Sequence, residues 1–126
     1  MPEAGWDVVH SAAGEKVELP TEEGCFILEA WNDASDPSVS IARARVPAGQ
    51  TTQLHRLCGV VERYLVIAGK GLARAGDRRD IPLSVGDVLV IPAGAPQRVE
   101  AIGEEDFLFY CVCTPRFTPE CYEVLE

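Results

Sequence analysis

Turn-forming residues break this chain at short, regular intervals, and that punctuation leaves little room for helices. Between residues 25 and 113, runs rich in Val, Ile, Leu, Phe and Cys are separated by Gly, Pro, Asp and Asn clusters roughly every ten residues. Strands are expected at residues 25–31, 39–46, 60–67, 72–75, 81–85, 88–91, 97–102 and 107–113. The turns between them fall on the 32–37 cluster, Pro47-Ala48-Gly49, Ala68-Gly69-Lys70-Gly71, Gly76-Asp77, Gly86-Asp87 and Pro92-Ala93-Gly94. Many short strands leave many unpaired edges, which a barrel, sandwich or jelly roll removes or protects. An all-β domain of that kind is the expected fold.

At 126 residues, 47% of them hydrophobic, the chain is sized for one core. No repeat or Gly/Ser/Pro-rich spacer divides it. We expect an N-terminal arm over residues 1–23, a barrel over 24–113 and a C-terminal strap over 114–126, with Phe117 of the strap plugging an apolar groove. Apolar runs such as Val88–Ile91 are far too short to span a bilayer, and residues 1–7 carry no basic, apolar targeting pattern. The expected address is therefore the cytoplasm. A formal net charge of −9 repels phosphate backbones and anionic lipids, which argues against nucleic acid and membrane as partners. Five cysteines without a C-x-x-C pair read as reduced thiols in that compartment. Cys111 and Cys113 share one strand face, where core packing and a soft-metal chelate both stay open. Phosphate-cradling Gly-Lys-Ser/Thr loops and Gly-x-Ser-x-Gly nucleophile turns are missing from the sequence.

Two spaced blocks carry more than architecture. Gly49 is followed after five residues by His55, then by Leu57 and Glu62, and after six more by Gly69. Farther on, Gly86 precedes Pro92-Ala93-Gly94, with Gln97 and Ala101 beyond. In these blocks residues 40–113 resemble the cupin family. The resemblance implies a cupin-type jelly-roll β-barrel forming a single domain. Metal-binding cupins hold a divalent transition metal with three histidines and a glutamate, and the matching positions here are His55, Leu57, Glu62 and Gln97. Leu57 has no donor atom, and Gln97 offers an amide oxygen in place of an imidazole. The implied metal set is therefore His55, Glu62 and Gln97, for manganese, iron, nickel or zinc, completed by water or substrate. Cys58 points away from such a site on a strictly alternating strand.

The residues themselves also argue for a working pair. A closed barrel buries Glu62, and a buried carboxylate needs a metal, an imidazolium or water beside it. His55 and Glu62 are accordingly the expected catalytic residues. Alternation sets Gln53 beside His55 and Tyr64 beside Glu62, so Gln53, Leu57, Tyr64 and Gln97 are expected to line a partly apolar small-molecule pocket. Tyr64 serves either as barrel filling or as a ligand contact. Arg43 and Arg45 share a strand face, and the outer face is the favoured one.

The first functional reading is a small cupin acting on a carboxylate- or carbonyl-bearing metabolite. It would work either as a metal-assisted oxygenase or isomerase, or as a metal-free acid–base isomerase, dehydratase or cyclase. The second is a non-catalytic ligand-binding or sensory cupin, and the third a structural assembly subunit. Small cupins are commonly homodimers, so the resemblance also implies a dimer, with the arm available for the contact. Trp6 and Trp31 are expected to anchor packing, within the chain or at that contact.

Overall fold

Side-chain alternation decides which face of each strand is buried, and the last long strand displays the rule most plainly. Over Phe107–Thr114 every second residue, Phe107, Phe109, Cys111 and Cys113, is buried, while those between are half-exposed. The structure is a computed structural model that describes residues 5–126. The first four residues of the expected arm, with much of the segment read for targeting, lie outside the described residues.

Among the described residues, eleven strands form two antiparallel sheets. They are β1 (Leu19–Pro20), β2 (Phe26–Trp31), β3 (Ser40–Val46), β4 (His55–Leu57), β5 (Val61–Ala68), β6 (Lys70–Ala75), β7 (Arg78–Leu83), β8 (Val88–Ile91), β9 (Gln97–Ile102), β10 (Phe107–Thr114) and β11 (Tyr122–Val124). One sheet runs β1-β2-β3-β10-β5-β8 and the other β11-β4-β9-β6-β7. The chain crosses between the sheets after β3, β4, β5, β7, β8, β9 and β10, which is a jelly roll. The sheets face each other across a shared core without a ladder, among the described residues, that joins them into one continuous barrel. Val46, Ile91, Val99 and Phe107 are almost wholly buried at its centre.

The expected strands fall close to these bounds, with two shifts and three additions. β6 begins at Lys70 because Gly71, read as part of a turn, is paired in the ladder opposite Leu83 and Ala101. β7 lies earlier than residues 81–85 because the charged stretch Arg78-Arg79-Asp80 forms an exposed edge strand, with Asp80 at φ 55°. The additions β1, β4 and β11 are two or three residues long and gain their strand character from neighbours. The C-terminal segment does more than run across the outside. Its β11 extends the second sheet beside β4, and Phe117 packs with Leu57, Val60, Cys113 and Cys121 in a second apolar cluster.

Two glycines, one in the β5–β6 turn and one in β6, fit where a side chain cannot. Gly69 has φ +76°, and a Cβ there would collide with the Asp106 carbonyl oxygen. Gly71 lies beneath the Phe107 ring, where a Cβ would come within 2.6 Å of Cζ. Gly71→Ala should therefore lower unfolding stability by about 1–3 kcal/mol, the usual penalty for overpacking a rigid core. A urea midpoint equal to that of the unchanged protein would contradict this packing.

Candidate functional site

A cavity of about 710 Å³ opens between the sheets, walled by β2, β3, β5, β10 and the segments around β1, β4 and β11. Its most constrained side chain is His55. The preceding loop is stitched to β9 by Thr52 N–H donating to the Val99 carbonyl and by Val99 N–H donating to Thr52 Oγ1, both at 2.9 Å. β4 then lies between β9 and β11, with His55 opposite Gln97 on one side and Val124 on the other. The His55 ring stacks on Tyr122, centroids 4.6 Å apart and planes 17° from parallel. His55 Nδ1 is 2.7 Å from the Gln53 carbonyl oxygen. A carbonyl only accepts, so Nδ1 carries hydrogen and Nε2 is the atom presented to its surroundings. It faces Glu23 Oε2 at 3.5 Å.

Glu62 enters from β5, paired in register with Ile91 and Cys113. It is 8% exposed. Cys113 Sγ–H donates weakly to Oε2 at 3.9 Å, and Oε1 has no hydrogen-bond partner among the described residues. Burial pushes the Glu62 carboxyl up to about 7. The Gln97 amide beside it pulls the other way, and the Glu23 charge adds to the rise. Burial together with the Glu62 charge also raises the Cys111 and Cys113 thiols, which stay protonated at neutral pH. Both are packed core cysteines.

The expected residues are distributed unevenly around this space. Gln53, His55, Leu57, Glu62 and Tyr64 all line the cavity. Gln97 does not lie on the wall: it is 1% exposed, and its Oε1 accepts a hydrogen bond from the Tyr64 hydroxyl. Tyr64 also packs on Phe109, centroids 4.2 Å apart, so it is fixed both as core and as wall. Cys58 is exposed and contacts Glu123. Arg43 and Arg45 point outward, where both pair with Glu18, at 3.3 and 2.8 Å, and Arg45 also reaches Asp106 at 2.9 Å. Glu18 held on the outside leaves its neighbours Val17 and Leu19 facing the cavity.

Sequence reasoning missed Glu23, Glu29 and Tyr122, which also line the cavity. Glu29 was accessible from alternation along β2, since it shares a face with Cys25 and Ile27. Glu23 and Tyr122 carry no local signal, because only the folded chain brings the two ends to His55.

Comparison with known proteins fits this geometry. Residues 42–113, more than half of the chain, match the Cupin domain family. This chain belongs to the cupin family. It is 33% identical over 108 residues to the uncharacterized protein MJ1618 of Methanocaldococcus jannaschii, covering 84% of this chain and 86% of that one. It is 31% identical over 71 residues to an oxalate-binding protein of Thermotoga maritima, covering 56% and 58%. Among solved structures, the nucleoside dehydratase Pac13 superposes with a TM-score of 0.79 at 15% identity, covering 95% of this chain and 92% of Pac13. At that identity the likeness speaks for the cupin fold alone.

The transition metal that the cupin resemblance implies does not fit these side chains. Leu57 offers no donor, the Gln97 oxygen is engaged by Tyr64 behind the wall, and His55 Nε2 is turned to Glu23. Among the described residues, no group of three or more His, Cys, Asp and Glu side chains is placed to hold a metal ion. His55, Glu62 and Gln97 are therefore not assembled as a ligand set.

The raised Glu62 carboxyl has a measurable consequence. A proton held more tightly in the folded chain than in the unfolded one supports folding below the unfolded value of 4.5, and that support is lost as pH rises through about 7. The loss amounts to about 3 kcal/mol at this site. The unfolding free energy of Glu62→Gln, relative to the unchanged protein, should rise by that amount between about pH 4.5 and pH 7.5. A difference that stays constant across the range would show that Glu62 ionises as if in water.

Proposed function

We propose that this cupin binds a small carbonyl-bearing metabolite in its cavity and that Glu62 and His55 move a proton on it through their own side chains. The observation that carries the reading is Glu62 Oε1, without a hydrogen-bond partner among the described residues and buried beside a cavity large enough for a metabolite. A carboxyl near 7 populates both acid and base at neutral pH, as proton transfer requires. His55, gripped by Gln53 and stacked on Tyr122, lines the same cavity with its Nε2 on Glu23 rather than on Glu62, so the two groups would act on the ligand from separate positions. Of the two ligand classes expected from the sequence, the carbonyl-bearing one is favoured, because carboxylates on the wall repel a second carboxylate.

The second reading, a non-catalytic ligand-binding cupin, is favoured by Leu57 and Gln97 at positions that hold histidines in metal-binding relatives, and by the name of the Thermotoga maritima protein. The two readings are separated by screening small carbonyl compounds for conversion by NMR. Proton transfer predicts that Glu62→Gln lowers turnover of the substrate found by about 10²–10⁴-fold while the fold is kept. A ligand that raises the melting temperature without any product decides for binding alone.

The homodimer expected from the sequence is supported by an apolar stripe at a sheet edge. Val88 and Val90 of the edge strand β8 are 59% and 56% exposed, and Leu65 lies opposite Val88 on β5. Light scattering should give twice the 13.7 kDa chain mass. The mass of a single chain would remove the dimer.

A further inference from the structure

The charge on the cavity wall is one-sided. Glu22, Glu23, Glu29 and Glu62 all contribute to it, and among the described residues neither lysine nor arginine does. The two arginines of β3 turn to the opposite face and are engaged with Glu18 and Asp106. His55 is the cation-capable group of the lining, and its Nε2 already meets Glu23. A carboxylate or phosphate on a ligand would therefore enter against like charge with no fixed cation to receive it.

A second, independent feature points in the same direction. Glu62 is more than nine-tenths buried, and among the described residues its Oε1 is an acceptor without a donor. Buried acceptors are normally satisfied, and a carboxylate oxygen accepts most strongly from a charged N–H group. The surrounding surface suits the rest of such a ligand. Tyr64, Phe109 and Tyr122 present aromatic groups, and ring faces attract organic cations. Acidic groups with aromatic walls recognise a positively charged nitrogen on a partly apolar body.

We infer that the cavity selects ligands bearing a protonated amine, amidine or guanidine, whose N–H groups donate to Glu62 Oε1 while Glu23 and Glu29 balance the charge. The inference rests on the proposed small-molecule reading and sharpens it: the carbonyl-bearing metabolite also carries a cationic nitrogen. It separates this chain from its oxalate-binding relative in the sign of charge received.

The test is a panel of matched probes followed by thermal shift and calorimetry. Tyramine, agmatine and ethylenediamine are each paired with a carboxylate of similar shape, for example tyramine with 3-(4-hydroxyphenyl)propanoate, and oxalate is added. Ammonium and guanidinium probes should raise the melting temperature, and their carboxylate mates and oxalate should not. Glu62→Gln should weaken the best cationic probe at least tenfold. Glu29→Gln, at an exposed position that leaves the core untouched, should weaken it severalfold, with a shallower salt dependence. Carboxylates or oxalate binding as well as the cations would overturn the charge preference and leave the small-molecule site standing. Silence from every probe of both signs would take down the site and the preference together.

Discussion

A carboxylate kept between two apolar sheets is the constraint around which this molecule is arranged. Glu62 gives up its hydration to sit on the inner face of β5, and a thiol from the neighbouring strand compensates it weakly. Its surroundings adjust accordingly. The thiols of Cys111 and Cys113 are held in their neutral form, and the Tyr64 hydroxyl is tied to Gln97, so no further negative charge forms beside it. Such an arrangement withholds solvation from a group that then gains from any guest able to restore it.

The imidazole shows a different economy. Its ring is positioned by a carbonyl two residues upstream, an aromatic ring from the C-terminal strand and a carboxylate from the N-terminal segment. β4 itself is three residues long and has little strand propensity to hold it. What fixes it is the stitching of the 50–54 loop to β9 and the addition of β11 on its other side, where Leu125 N–H donates to the Leu54 carbonyl. Orientation of the site is thus a tertiary property, built from segments far apart in the chain.

That contrast explains what could be read in advance. Long strands such as β3, β5, β9 and β10 announce themselves, because period-two alternation between turn residues is a local signal. β1, β4 and β11 do not, because two or three residues carry too little pattern and their pairing is decided elsewhere. Likewise the spacing from Gly49 to Gly69 brought out His55 and Glu62, and alternation placed Gln53, Leu57 and Tyr64 around the same space. Gln97 was aligned by its place in a motif, and motif spacing does not encode that its amide would turn to Tyr64. Glu23 and Tyr122 lay outside any pattern, since nothing in residues 1–23 or 114–126 advertises proximity to a histidine between them.

The stretch that matches the family spans residues 42–113, yet Glu23, Glu29 and Tyr122 all lie beyond it. The scaffold therefore comes from the middle of the chain, and much of the wall that a guest meets comes from its two ends. The same two ends also set the imidazole, through Tyr122 and Glu23, so a change at the margins reaches both the wall and His55, whereas Glu62 is held by the central strands alone.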